Sequence, residues 1–514
     1  MTVPNVLQQC WAIALGLDAG DINNDDNFFD LGGDSVQAIR LAEVARERHL
    51  KLDVETVFNH PDFQDMLANA GTVATTDSPS DAPSQGQLNA ATVRACADTC
   101  GVRSVLIEDI FPTVALQDWF LEEHIHRGAW LIQLVFELRG TRDTALVCKA
   151  FDTIHAKNQI WRTRLVQVDG EVVQVVLKDP VVWHNAMDLE EYKARDSAVR
   201  MGFGQPLVRY AVVKEPDKTF LVWTCHHSLM DAWTRRMLFD DLESYLADPI
   251  AFTAKPDRPP FKNLVDYWRS FNIEANALLE KYYAELPHTR TLYIVPDGYT
   301  AYCKDSVTRN IFIERPTKNP ITFSTMAQAA FALTIGQMTG SHEITLHSVR
   351  GSRAISKPGA ESIMGPMASL VLQHVSLPPE EPISTVLRSI QNTSTRMLKH
   401  EPFHTKYVLR QPGHENHILF DWLMPGSDFS SRVAEHPVGN GKACLGVMQE
   451  LYPNPQSLTC VFKVYDNGDH LKVFSAFDDH LLSASLIEEM LDLFAAKLRS
   501  ICQGQGMSVE SLMT

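Results

Sequence analysis

A segment of about 30 residues that is poor in large apolar side chains divides this chain into two unequal parts. Residues 73 to about 104 include VATTDSPSDAPSQGQLNAAT, which is rich in Ser, Thr, Ala, Asp and Pro. Such a composition cannot bury a core, so it predicts a flexible linker. A flexible chain of this length has a typical end-to-end distance of roughly 30 Å, which would let the first part move relative to the second.

The first part, residues 1–72, has the pattern of a bundle of short helices. Apolar residues recur at helical spacing over residues 7–14 and again after Ser35. A third helix is predicted over Phe63–Asn69. The sequence therefore predicts a small all-α unit.

The second part, residues 105–514, mixes strand-like and helix-like segments. It predicts two α/β lobes, an N-lobe over about 105–290 and a C-lobe over about 291–514. Two strand-like runs at 207–213 and 220–225 flank the turn EPDK, which predicts an antiparallel hairpin.

Composition narrows the class of protein. The chain has 514 residues, and its net charge of 46 − 63 = −17 argues against nucleic acid or an anionic membrane as the main partner. Its nine cysteines include no CxxC pair, which is typical of reduced thiols and gives no zinc site. We find neither a signal-like start nor an apolar run of 18 residues. We therefore expect no signal peptide, no membrane span, no metal and a cytoplasmic location.

A glycine pair precedes Ser35 in the segment FFDLGGDSVQAIRL. Gly32 and Gly33 permit a tight turn, and Ser35 then begins a predicted helix. Unpaired backbone N–H groups and the helix dipole favour an anion there, such as a phosphate ester on the hydroxyl. From the residues alone, a simple N-cap serine is the alternative.

This segment resembles the attachment motif of acyl and peptidyl carrier proteins, especially the thiolation domains of nonribosomal peptide synthetases. The similarity covers roughly residues 1–72 and implies a four-helix carrier bundle. It also implies that 4′-phosphopantetheine is attached covalently to Ser35, that Asp34 and Leu31 help to present it, and that a phosphopantetheinyl transferase is a partner.

A second motif, HHSLMDAW, follows the strand-like run and places His226 and His227 at its end. A histidine with a pKa near neutrality can accept or share a proton. Asp231, four residues after His227, could orient the loop or pair with an arginine. Three other interpretations stay open: purely structural roles, a core histidine, and a metal pair, although no third ligand lies at a useful spacing.

HHSLMDAW is similar to the HHxxxDG motif of condensation domains, which other CoA-dependent acyltransferases share in shorter form. Further landmarks follow in order over about 400 residues: FPTVALQDWFL, NQIWRTRL, FGQPLVR, FKNLVDYW and the closing segment FKVYDNGDHLKVFSAF. The resemblance implies a two-lobed α/β fold like that of chloramphenicol acetyltransferase, with a channel between the lobes.

The same resemblance implies roles for individual residues. His227 would be the catalytic histidine, which positions or deprotonates an attacking amine. Asp231 would be a structural residue paired with an arginine, for which Arg162 and Arg353 are the candidates. His226 would be architectural.

The implied function is acyl transfer in nonribosomal peptide synthesis, in which an amine attacks a pantetheinyl thioester. Thr234 matches a variant found in fungal terminal condensation domains that release a peptide by cyclisation, although His226 does not match it. Ala232 in place of the usual Gly, and Asn158 and Gln159 in place of the usual His-Glu, depart from the ordinary elongation pattern. We therefore predict cyclisation and release of a peptide that upstream modules of the same synthetase supply.

Three alternatives remain open at this point. Intermodular condensation would elongate the peptide. Epimerisation needs a glutamate across the channel, for which the sequence gives no unambiguous equivalent. A non-catalytic recruitment domain with the same fold is disfavoured by the intact His227 and Asp231.

Overall fold

The structure is a computed structural model. It describes residues 3–33, 35–72, 89–139, 144–270, 272–316, 319–355, 359–423, 436–438, 443–451, 458–504 and 506–514.

The first part of the chain forms the predicted bundle of four helices, which a two-stranded ribbon closes. Trp11 is fully buried, and its ring meets Phe28 and Phe63 edge-on with centroids 5.2 Å apart in each pair. These three aromatic rings supply much of the apolar area that stabilises so small a unit. Its elements are α1 (Val3–Leu15), α2 (Ser35–Glu47), β1 (Leu50–Lys51), α3 (Val54–Asn59), α4 (Phe63–Asn69) and β2 (Gly71–Thr72).

Part of the predicted linker is an ordered helix, α5 (Ala90–Cys100). Cys96 and Cys100 are buried in a cluster with Ile110 and Val166 of the second part. The linker prediction is therefore wrong for this segment, because its buried face consists of small side chains that composition does not flag. Residues 73–88 of the predicted linker lie outside the described residues.

The N-lobe is built on a six-stranded sheet and a separate three-stranded sheet. The predicted hairpin is present as two antiparallel strands, with Val208 opposite Cys225. The second hairpin strand lies between two neighbours and is buried along almost its whole length, which suits its apolar sequence TFLVWTCH. The elements are β3 (Ile107–Pro112), α6 (Ala115–Arg127), β4 (Leu131–Arg139), α7 (Thr144–Lys157), β5 (Thr163–Val168), β6 (Glu171–Leu177), β7 (Trp183–Ala186), α8 (Leu189–Ala198), β8 (Val208–Lys214), β9 (Thr219–His226), α9 (Ala232–Ala247), α10 (Pro249–Ala254), α11 (Lys262–Ser270) and α12 (Asn272–Ala284).

The C-lobe has its own six-stranded sheet, packed on a central apolar helix that is buried along most of its length. The elements of this half of the sequence are β10 (Asp305–Phe312), α13 (Phe323–Thr339), β11 (Glu343–Gly351), β12 (Ala368–Ser376), α14 (Ile383–Met397), α15 (Glu401–Val408), β13 (Leu419–Leu423), β14 (His436–Val438), β15 (Ala443–Leu451), β16 (Cys460–Asp466), β17 (His470–Phe477), α16 (Ala484–Gln503) and α17 (Val509–Met513). Sheet order in this lobe is β10-β17-β16-β13-β11-β12.

Two strands of the second half belong to the sheet of the first half. The N-lobe order is β14-β15-β4-β9-β8-β7, with β15 antiparallel to β4. The boundary near residue 290 therefore does not separate the lobes in space, since 436–438 and 443–451 cross over. The crossing strands cover the edge of β4, which would otherwise present unpaired N–H and C=O groups.

Within the described ranges, no helix has both the length and the apolar character that crossing a bilayer requires.

Candidate active site

The glycine pair before Ser35 is needed for the shape of its turn. Gly32 has a φ of +93°, and a Cβ on Gly33 would lie 2.5 Å from the Phe28 ring. Ser35 is the first residue of α2, as the sequence predicts. Asp34 and the side chain of Ser35 lie outside the described residues, whereas Leu31 packs against the carrier core.

His226 is held inside the N-lobe at the end of β9. It is fully buried, and its Nδ1 lies 2.7 Å from the Ser228 hydroxyl and accepts the Ser228 N–H at 3.1 Å. Its ring meets His124 edge-on at 4.7 Å. These contacts make His226 part of the packed interior of the loop, and its side chain does not face the channel.

His227 sits between two aromatic rings. Its ring centroid lies 4.6 Å from that of Phe120 and 5.6 Å from that of Trp130. Its backbone N–H donates to the Trp130 carbonyl at 2.9 Å. Trp130 has a φ of +66°, an uncommon conformation for a bulky residue, so the fold imposes local strain at the point that supports His227.

The imidazole of His227 is neutral at neutral pH. Its pKa is lowered to about 4, chiefly by burial and also by Lys463 and Arg235, while Asp231 acts in the opposite direction. Apart from its own main chain, Nδ1 meets no hydrogen-bond partner among the described residues. A neutral ring can accept a proton, which is the state that a general base requires.

Asp231 is the N-cap of α9 and links the two lobes. Its carboxylate accepts from the N–H of Thr234 at 2.7 Å and of Met367 at 2.9 Å. Arg353 Nη2 lies 3.2 Å from both of its oxygens. Arg353, from the C-lobe, is thus the arginine that pairs with it.

Arg162 does not reach Asp231. Its Nη1 donates to Glu108 at 2.7 Å and to the Leu177 carbonyl at 2.6 Å. The expectation that Arg162 could be the partner of Asp231 is therefore wrong. Gln159, which replaces a residue of the usual His-Glu pair, donates to the same Glu108 at 2.7 Å. Its side chain therefore supports the ion pair between Arg162 and Glu108.

The Thr234 side chain lies at the junction between the two lobes and hydrogen-bonds across it. Its buried hydroxyl donates to the Gly365 carbonyl at 2.8 Å and accepts the Gly365 N–H at 3.1 Å. Arg353 Nη2 also lies 3.0 Å from it. The hydroxyl at this position thus completes the hydrogen-bond network around Asp231.

A cavity of about 770 Å³ connects these parts. Its walls include the carrier turn Leu31–Gly33, His227 and side chains of both lobes. Binding cavities for small molecules have volumes of about 300–1,000 Å³, so the space is large enough for an acyl chain and an attacking group.

The carrier unit contacts the C-lobe next to this cavity. Arg46 of α2 forms an ion pair with Glu361 at 3.1 Å, and Leu398 packs against the carrier core. The Glu361 carbonyl also accepts from Trp233, which lines the cavity. These contacts hold the carrier unit against the C-lobe, beside the cavity that the turn before Ser35 also lines.

The ion pair of Arg46 gives a prediction for carrier docking. We expect Arg46→Glu to slow transfer from the loaded chain by about two- to fivefold, since partly exposed pairs contribute little and the two units stay tethered. The double variant Arg46→Glu with Glu361→Arg should restore the rate in a single-turnover assay. An unchanged rate in the single variant would mean that this contact does not guide docking.

Some residues of the cavity carried no signal in the sequence. Asp421, Lys463 and Arg235 line it together with His227, but Asp421 and Arg235 lie outside the motif segments, and Lys463, within the closing segment, has no role that the sequence assigns. Pairing between strands distant in sequence brings them there. In the part of the chain that the structure describes, no three His, Cys, Asp or Glu side chains are placed to hold a metal.

The site fits a phosphopantetheine arm. The turn that precedes Ser35 and the His227 ring line the same cavity. When bound, the arm supplies a thiol that carries an acyl group as a thioester. The residues that would surround it include Leu31 on the carrier and Leu398 on the C-lobe.

Comparison with known proteins agrees with this architecture. A family model described as "Phosphopantetheine attachment site" matches residues 5–69, and one described as "Condensation domain" matches residues 107–504. The Condensation match alone covers more than half of the chain. The predicted fold and family are thus confirmed.

Curated relatives are large fungal synthetases. The chain is 26% identical to nonribosomal peptide synthetase ecdA of Aspergillus rugulosus over 97% of this chain and 7% of that protein. It is 26% identical to synthetase sidD of Aspergillus fumigatus over 98% and 24%, and 32% identical to synthetase easA of Emericella nidulans over 77% and 6%. The chain therefore spans at most about a quarter of these relatives.

Solved structures share the fold. A structure described as "holo T3CT" matches with a TM-score of 0.63 and 16% identity, over 78% of this chain and 93% of that one. The first condensation domain of the calcium-dependent antibiotic synthetase matches with a TM-score of 0.60 and 13% identity, over 78% and 98%. The chain belongs to the condensation-domain family of nonribosomal peptide synthetases, and a phosphopantetheine-carrying domain precedes its condensation domain.

Proposed function

We propose that this chain forms an amide bond between an acyl group carried on Ser35 and an amine of the same acyl chain, which releases a cyclic peptide. The observation that carries the proposal is the single cavity lined by both the carrier turn and His227. Because the carrier belongs to the same chain, tethering raises the local concentration of the thioester at the site.

The residues of the site have distinct parts in this reaction. The amine nitrogen attacks the acyl carbonyl carbon, the C–N bond forms, the C–S bond breaks and sulfur leaves as the thiol. The neutral ring of His227 accepts the amine proton and returns it to sulfur. Phe120 and Trp130 hold that ring and exclude water, while Asp231 and Arg353 fix the loop that carries it.

Cyclisation is proposed over elongation because Thr234 matches the terminal variant, although His226 does not. The chain's own carrier could supply the acyl group in either reaction. A second carrier from another module would make the same site an elongating one. We propose upstream modules and a phosphopantetheinyl transferase as partners in either case.

Epimerisation is a second candidate because two carboxyl groups of the C-lobe line the same cavity. Burial raises the pKa of Glu401 to about 7 and raises the pKa of Asp421 above its ordinary value. Either group could exchange a proton with a substrate in this cavity. Racemised product from a chain loaded with a single enantiomer would select this function.

The test loads the chain with peptidyl-CoA and a phosphopantetheinyl transferase, and follows Ser35 and the products by mass spectrometry. We expect a cyclic product without any added acceptor, and no loading of Ser35→Ala. Strict dependence on a second carrier-bound amino acid would select elongation. Failure to modify Ser35 would reject the proposal.

A further inference from the structure

Three charged side chains line the cavity near His227 and have no part in the mechanism above. Asp421 of β13 and Lys463 of β16 are partners in the parallel register of the C-lobe sheet. Arg235 of α9 joins them from the N-lobe side, and all three line the cavity with His227. Register partners in a sheet point to the same face, so the Asp421 and Lys463 side chains lie side by side.

These groups act on one another and on His227. Among the charged residues around the His227 ring, Lys463 has the largest effect on its pKa and lowers it, ahead of Arg235, while Asp231 raises it. Burial raises the pKa of Asp421, and Lys463 and Arg235 act against that rise. Two cations and one carboxylate leave this wall of the cavity positive on balance.

Other cations of the cavity wall also have protein partners. Arg353 binds Asp231, and Arg350 donates to Gln328 and Gln373 at 2.9 and 2.8 Å. Lys463 is the cation that most strongly influences the reacting imidazole.

Amine attack on a thioester places negative charge on the carbonyl oxygen, and a nearby cation can stabilise that charge. As the C–N bond forms, the π electrons of the C=O bond move onto the carbonyl oxygen, which becomes an oxyanion. They return when the C–S bond breaks and sulfur leaves, taking the proton that His227 carries. A fixed positive charge beside that oxygen lowers the barrier, and a water-poor cavity strengthens its effect.

We propose that Lys463 is a catalytic residue whose ammonium group binds the carbonyl oxygen as negative charge develops on it, and that Asp421 positions Lys463 through their register pairing. The proposal rests on the proposed acyl transfer, and it names the group in this chain that stabilises the oxyanion. The ligand class is a carbonyl oxygen of the acyl group that becomes anionic during the reaction.

The first test is a rate measurement on the loaded full chain. We expect Lys463→Met to lower the single-turnover rate by about 10²–10³-fold, as loss of one oxyanion-stabilising donor does. Lys472→Met, on the neighbouring strand β17 and outside the cavity, should keep the rate. A folded Lys463→Met chain within threefold of the wild-type rate would overturn the proposal. If that variant does not fold, Lys463→Leu, which also lacks a donor, replaces it with the same expectation.

The second test needs no loaded arm. Monomethyl hexylphosphonate is an anionic tetrahedral probe, and methyl heptanoate is its neutral planar counterpart. Calorimetry should show at least tenfold tighter binding of the phosphonate by wild type and by Lys472→Met, and loss of that preference in Lys463→Met. An equal preference in all three proteins would overturn the assignment. If wild type prefers the phosphonate but forms no amide product, the proposed function fails while the anion site stands.

Discussion

Replacing His227 with Ala should lower amide-bond formation by about 10²–10⁴-fold, the range that a positioned general base contributes. The ring is buried between Phe120 and Trp130, and no other imidazole lines the described part of the cavity. The measurement is the single-turnover rate of the loaded chain, with product detected by mass spectrometry.

His480→Ala, at an exposed position outside the cavity, is the matched control and should react at the wild-type rate. Loading of Ser35 should be equal in all three proteins, because the carrier core does not include residue 227. Full activity of a folded His227→Ala chain would favour a recruitment domain over an enzyme.

Replacing Arg353 with Met should lower the free energy of unfolding by about 3–5 kcal/mol, since it leaves a buried carboxylate without its counter-ion. The Arg353 side chain is 2% exposed and that of Asp231 is 8% exposed. Urea denaturation of the wild type and the variant measures the difference. Arg236→Met, on an exposed part of α9, should change stability by less than about 0.5 kcal/mol.

The effect of Arg353→Met should depend on pH in a definite direction. Burial alone would raise the pKa of Asp231, but Arg353 and the amides of Thr234 and Met367 outweigh it and hold the pKa below its ordinary value. The stabilisation is therefore complete above the unfolded pKa of about 3.9 and is lost as the pH falls through the lower folded value. A stability loss that does not shrink in acid would argue against the ion pair as its cause.

The double variant Asp231→Asn with Arg353→Met should lower the free energy of unfolding by less than the sum of the two single variants. Removal of both charges leaves no isolated buried ion, and residues in direct contact are not additive. An additive result would show that the two residues act independently.

The sequence predicted the two motifs and the hairpin well because each rests on residues close together in the chain. Ser35 begins its helix and His227 directly follows its strand as local patterns indicate. The choice between Arg162 and Arg353 could not be made this way, because the pair joins residues 122 positions apart. Only the assembled lobes bring them together.

The remaining errors have the same physical origin. The helix at Ala90–Cys100 buries small side chains, so its composition resembles that of a linker. Lys463 and Asp421 meet through parallel pairing of β13 and β16. The hydrophobic periodicity of the sequence does not predict which strands pair. The crossing of β15 into the other sheet likewise depends on an open edge that exists only after the first half has folded.

The strand exchange also limits how the enzyme handles its cargo. With β15 hydrogen-bonded to β4 from Gln133 to Arg139, main-chain hydrogen bonds tie the second half of the sequence to the first. Under the proposed function, a carried acyl chain would therefore have to reach His227 and leave again without the halves separating. Its width, more than its length, would then limit which rings could be closed.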